Sequence, residues 1–492
     1  MKAVARFCSL LCSVVAAVTL GCESQPTSDS STNPSAPQLL FNKAHGATNP
    51  CAADRDHDRG NAPVITLCAV AVPGSPLVSV AKTWTDPETD AEYVDDQSNK
   101  GVDIIDGRSY TFVGRVPGFV GAAVGGSGGT ISYGGGTSTS NGQGPNSLVP
   151  GNDGHRLWVS DGNSMVQVVD VWSQSIVASV NTAITACDGG TSTTHYCGRV
   201  NEMTYDPEDD IVLVENPNPL DETFCTTSGN NCKSTAAISY PTASPQKTVA
   251  PYATFISGHW PYKILGTLSF PDAKGTTEAP VWDRETRRFL LPVPTCSGTT
   301  GATACASNGA TEYIAVINPR KMTVEKKFTI PDCATLMPGI SPAGTGMMND
   351  LAIDDRDQTV IMEVCGKGEL VFSARTGAVV NVVTQISSTD ESSFNSADGN
   401  FYVVATAPGG ATPGNANTTS LGVIDGKTGL WIENVLNVGG KTPSALTQSD
   451  RIFTAVTVPA TPTGTDSTAC SKFGIKAFTG CITVFEHENP AL

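Results

Sequence analysis

One short grammar recurs along the chain: a polar pair, an apolar strand of a few residues, an Asp or Asn, a tight turn, and a second strand. It is most complete in Thr277-Glu278-Ala279-Pro280-Val281-Trp282-Asp283, which is followed after a charged turn by Arg288-Phe289-Leu290-Leu291-Pro292-Val293. It returns in Asn201-Glu202-Met203-Thr204-Tyr205-Asp206, Asn349-Asp350-Leu351-Ala352-Ile353-Asp354 and Asp390-Glu391-Ser392-Ser393-Phe394-Asn395, with a weaker copy at Asn146-Ser147-Leu148-Val149. A unit this small cannot bury its apolar face alone, so repeated units must stack on one another. The 49 Gly and 32 Pro interrupt the chain too often for long helices. The chain therefore reads as all-β.

From residue 77 onward the repeats lay out as four-stranded units. The second is the cleanest, with strands at 146–150, 155–161, 165–171 and 175–182, separated by turns rich in Gly, Asn, Asp and Ser. Units open near 83, 146, 201, 278, 349, 390 and 443, which makes a seven-bladed β-propeller with four-stranded blades. The last unit stops one strand short, and 64–72 precedes the first unit without one of its own. Splicing that N-terminal strand into the last blade closes the ring and removes its exposed edge.

Ahead of the ring, Lys2 and Arg6 precede an apolar run, Leu10 to Leu20, that ends at Gly21-Cys22, the layout of a cleaved signal peptide over 1–21. Val18-Thr19-Leu20-Gly21-Cys22 resembles a bacterial lipoprotein signal, which implies lipid on Cys22, a lipid-anchored disordered tether and N-terminal loop over 22–63, and an outer-membrane lipoprotein facing the periplasm or exterior. The propeller spans 64–488 and 489–492 form a tail. The formal net charge of -17 argues against nucleic acid as a partner. Of 15 Cys, Cys8 and Cys12 leave with the signal; with lipid on Cys22, as that resemblance implies, an even number remains in an exported chain and reads as disulfides. Short loop clips are the economical pairing: Cys51–Cys68, Cys187–Cys197, Cys225–Cys232, Cys296–Cys305, Cys333–Cys365 and Cys470–Cys481. The run Asp54-Arg55-Asp56-His57-Asp58-Arg59-Gly60 misplaces the glycine of a calcium loop and reads as a solvated acidic segment. Gly125-Gly126-Ser127-Gly128-Gly129 lacks the strand-to-helix context of a nucleophile elbow.

Turns such as Val423-Ile424-Asp425-Gly426-Lys427-Thr428-Gly429 resemble those of bacterial propellers with YVTN-type repeats. In a propeller the first strand of each blade lines the central channel. Its start, the second-to-third-strand hairpin and the link between blades then share one face, the top. The long segments and most cysteines fall at those places, marking the functional face.

Asn146, Asn201, Glu278, Asn349 and Asp390 form a column of oxygen-bearing side chains at the start of the inner strands. Oxygen ligands without nitrogen or sulfur suit a hard cation, calcium above all. Glu278-Ala279-Pro280-Val281-Trp282-Asp283 and Pro145-Asn146-Ser147-Leu148 resemble strands of gluconolactonase-like calcium propellers, and that resemblance implies metal at this column. That family has six blades, and glycines where Ala279 and Ser147 stand. The competing reading is a hydrogen-bonded lining of a water-filled channel. Glu202, Asp350 and Glu391 form a second acidic column, which regular alternation turns toward the blade interface. An irregular strand start would instead make one of them a base with a raised pKa. The function expected is a monomeric cell-envelope binding module that recognises a small molecule, glycan or protein through its disulfide-clipped top face. The alternative is a calcium-dependent lactone or ester hydrolase at the top of the channel.

Overall fold

The computed structural model describes residues 64–119, 145–151, 153–162, 164–183, 200–216, 251–273, 277–295, 312–338, 348, 350–408, 420–436, 440–459 and 469–487. They form seven four-stranded antiparallel sheets and almost no helix, the exceptions being the single turns Cys333–Leu336 and Ala469–Lys472. The first strands of successive blades are neighbours all the way round, from blade one to blade seven and back to blade one. This is a seven-bladed β-propeller.

Blade one is built from Val80–Asp86, Ala91–Asp96, Gly101–Asp106 and Thr111–Pro117, and blade two from Leu148–Pro150, Arg156–Ser160, Met165–Asp170 and Ser175–Asn181. The inner strands of blades three to seven are Met203–Asp206, Val281–Asp283, Leu351–Asp354, Ile386–Asn395 and Gly440–Leu446. Blade seven takes its outer strand from the other end of the chain. Val64–Val70 runs antiparallel to Cys481–His487, from Val64 opposite His487 to Val70 opposite Ile482. Closure by the N-terminal strand is thus as the sequence demanded.

Burial follows from this arrangement. Each gap between adjacent blades holds its own apolar cluster. Val80, Val94, Ile105, Leu446, Phe453 and Ile482 join blades seven and one, and Leu213, Phe255, Trp282, Phe289 and Ile317 join blades three and four. The sheets pack face to face, so the core is a set of wedges with no single centre. Trp158, Phe289 and Trp282 sit in these wedges, and Tyr205 packs against one.

The end of the ring where inner strands finish is made of tight turns. Asp206, Asp283 and Asp354 accept backbone N–H bonds from residues two and three further on, and Asn395 does so from Ala397. Asp90, Asp210, Arg287, Gln358 and Asp450 close the first-to-second-strand turns with positive φ, where blade six has Gly399. That last turn position requires a left-handed backbone.

Candidate functional site at the carboxylate-lined end of the channel

The opposite end, where inner strands begin, is irregular in a repeated way. In blade two, Asn146 N–H donates to Ser160 O at 3.1 Å and Ser160 N–H donates back to Ser147 O at 2.8 Å, so two inner residues face one partner. Blade three repeats this with Asn201 and Glu202 against Glu215. The register slips at the same place in blade one between Val80 and Thr83, in blade six between Thr389 and Ser392, and in blade seven between Gly440 and Pro443. A β-bulge of this kind re-aims side chains that regular alternation would send to opposite sides.

The bulges at Glu202 and Glu391 correct the expectation that the second acidic column, Glu202, Asp350 and Glu391, follows regular alternation. All three converge across the ring on Lys82, which the blade-one bulge carries, and Asp350 also accepts from Ser392 N–H of the next blade at 2.8 Å. Lys82 Nζ lies 2.6 Å from Glu391 Oε2, 3.1 Å from Asp350 Oδ1 and 3.4 Å from Glu202 Oε2. Blades one, three, five and six are therefore tied through one ammonium. Burial alone would lower the Lys82 pKa, but the fields of Asp350, Glu202 and Glu391 outweigh it and hold the pKa well above the ordinary lysine value. Burial, then the Asp350 carboxylate, pushes Glu391 well up, and burial also raises Glu202 against the pull of Lys82.

The first column divides in two. Gln97 donates to Asn146 Oδ1 at 3.1 Å, Asn146 Nδ2 to Asn201 Oδ1 at 2.8 Å, and Asn201 Nδ2 to Glu278 Oε2 at 3.0 Å, a chain across blades one to four. Asp390 stands apart, 51% exposed and 3.1 Å from Lys441. Asn349 lies outside the described residues. No group of three or more His, Cys, Asp or Glu among the described residues is placed to hold a metal ion.

Two site residues escaped the sequence reading. Lys82 sits at the repeat's paired position, but its blade lacks the Asn or acid that drew attention to the others. Asp95 stands opposite the Lys82 bulge in the second strand. It is fully buried, and neither of its carboxylate oxygens has a hydrogen-bond partner. Burial, then the field of Glu202, holds its pKa well above the usual carboxylate value. In blade five, Glu369 accepts from Thr389 Oγ1 at 2.6 Å and its pKa is pushed up to about 7 by burial.

The disulfides gather at this same end. Cys333–Cys365 pins a blade link to a second-to-third-strand hairpin, and Cys470–Cys481 closes the equivalent segment of blade seven. Cys68, near the end of the closing strand, is also disulfide-bonded, and Cys51, its expected partner, lies outside the described residues. Cys187–Cys197, Cys225–Cys232 and Cys296–Cys305 lie outside them as well. Such bonds mark an oxidising, exported environment. No helix among the described residues is long and apolar enough to cross a membrane.

No protein-family model matches the chain, and no curated protein matches it. Among solved structures, one titled "Crystal Structure of Mitotic Checkpoint Complex" is similar with a TM-score of 0.45 and 11% identity, covering 82% of this chain and 92% of that chain. A likeness that distant says nothing about activity, and the fold rests on the sheets themselves.

Proposed function

We propose that the protein is an exported binding module that receives its ligand at the disulfide-pinned end of the channel. The observation that carries this reading is Asp95, a buried carboxylate with both oxygens unpartnered, in a channel end where Glu202, Asp350 and Glu391 share one lysine. A buried acid without a partner avoids unpaired charge by keeping its proton, in line with the raised pKa of Asp95, and a ligand bearing positive charge, either a metal ion or a protonated amine, would let it ionise. Calcium at Asn146, Asn201, Glu278, Asn349 and Asp390 belongs to this proposal. It would have to displace the hydrogen bonds that join the first three and draw Asp390 from Lys441. Lipid on Cys22 and an outer-membrane location complete the reading, and mass spectrometry of the mature N-terminus tests them.

The deciding experiment follows melting temperature and binding heat with calcium chloride and with putrescine, in wild type and Asp95→Asn. A ligand that binds only the native state raises the melting temperature. We expect one of the two to do so in wild type and to lose its effect in the variant. No shift from either, in protein that carries no metal when purified, would sink the reading. Calcium-restored, chelator-sensitive hydrolysis of a lactone panel would replace it with the hydrolase alternative.

A further inference from the structure

The opposite end of the ring carries a second feature. In blade three the turn joining the third and outer strands, residues 258–263, is longer than its counterparts at 107–110, 171–174 and 319–322. It presents Trp260 with 72% of its surface exposed, the most exposed large apolar side chain among the described residues.

This tryptophan is braced. Its ring meets Tyr262 at 90° with centroids 5.7 Å apart, and Tyr262 in turn meets the buried Trp158 at 86° and 5.1 Å. The Arg156 guanidinium covers Tyr262 at 6.0 Å. Edge-to-face contacts hold aromatic rings in defined orientations, so the indole is a fixed platform.

Hydrogen-bonding groups stand beside it, themselves held in place. His259 Nδ1 lies 2.7 Å from Asp210 Oδ2 and 3.3 Å from Ser257 Oγ, and Tyr205 donates to Asp210 Oδ1 at 2.6 Å. The His259 side chain is 73% exposed, so its other ring nitrogen is left for a ligand.

We propose that Trp260, with His259 and Asp210 at its edge, is a binding site for a pyranoside with equatorial hydroxyls. A pyranose with equatorial hydroxyls presents a flat face of C–H groups, which stacks on an indole. Its hydroxyls project sideways and need donors and acceptors at the rim, which the imidazole and carboxylate supply. A protein partner fits less well, because a stable interface buries about 800 Å² on each side. The exposed apolar residues next in line, Ile264 and Leu265, are consecutive in the outer strand. The strand slips by one residue at Leu265, where a β-bulge interrupts alternation, and two aliphatic side chains beside one indole fall far short of that area.

The test is calorimetric titration of the full-length mature protein with cellotetraose and with N-acetylchitotetraose. Wild type should bind one of them. Trp260→Ala should weaken that binding at least about tenfold, Trp260→Phe should retain part of it, and Asp210→Asn should fall between. Trp260→Ala should melt at the wild-type temperature, since so exposed a ring contributes little to folding. Absence of heat from both sugars in wild type, or equal affinity in Trp260→Ala, overturns the proposal. So does a Trp260-dependent protein partner in place of any sugar. Because this site and the channel mouth lie at opposite ends of the inner strands, Asp95→Asn should leave saccharide binding unchanged.

Discussion

The two ends of the ring satisfy their polar groups in opposite ways. At the turn end the aspartates are met first within their own hairpin: Asp283 accepts from Glu285 and Thr286, and Asp206 from Glu208 and Asp209, all within three residues, with bonds such as Gln358 to Asp283 added from the next blade. At the channel end the partners are remote in sequence. Lys82 meets Asp350 and Glu391, 268 and 309 residues away, and Asn201 of blade three donates to Glu278 of blade four, 77 residues on. Local satisfaction needs one hairpin, whereas remote satisfaction needs a closed ring. The second is therefore cooperative and intolerant of change.

The sharpest way to break this contrast is Lys82→Met. Removing the ammonium leaves Glu202, Asp350 and Glu391 buried without a counter-charge, and losing one side of a buried ion cluster costs about 3–5 kcal/mol. The pH dependence has a definite sign. Glu391 and Glu202 have folded-state pKa values above the unfolded ones, so their contribution is fully present below the unfolded value, about 4.3, and is lost as pH rises through the folded value. The Lys82 contribution, also from a raised pKa, is fully present below about 10.4 and so does not change between pH 5 and 8. The variant should thus recover much of its deficit as pH falls from 8 to 5. A urea-denaturation difference below about 1 kcal/mol at pH 7.5, or one independent of pH, contradicts the cluster.

Next in size is the covalent reinforcement of the channel end. Cys333→Ser with Cys365→Ser should cost about 2–4 kcal/mol, and Cys470→Ser with Cys481→Ser about 1 kcal/mol less, because the sequence separations closed are 32 and 11. Denaturant midpoints of the two double variants check the order. At the turn end, Asp283→Ala removes an acceptor for Glu285, Thr286 and Gln358 and should cost about 1–3 kcal/mol. Because those bonds are largely local, the loss should be nearly the same at pH 5 and pH 8, unlike that of Lys82→Met. The smallest effect belongs to Lys441→Ala. Its pair with Asp390 is 41% and 51% exposed, so stability should change by no more than about 1 kcal/mol and respond to salt. A larger loss would make Asp390 part of the buried network after all.

The sequence by itself determined the strands, the turns, the blade count and the closing strand. Those depend on alternation, on Asp and Asn at turn starts, and on a final unit that lacks an edge partner, and each is written within one or two hairpins. It also marked the paired polar positions, of which Asn146, Asn201 and Glu278 do join into one chain. Only the tertiary structure decided what the pairs do. The bulges set two inner residues against one, so regular alternation misdirected Glu202 and Glu391, and the ammonium that gathers them with Asp350 comes from a strand whose first-column position is Ala81. Asp95 looked like an ordinary member of an acidic strand until closure of the ring buried it without a partner. Backbone hydrogen bonding and side-chain alternation are local, whereas the neutralisation of a buried charge depends on whichever residues the closed ring brings within a few ångströms.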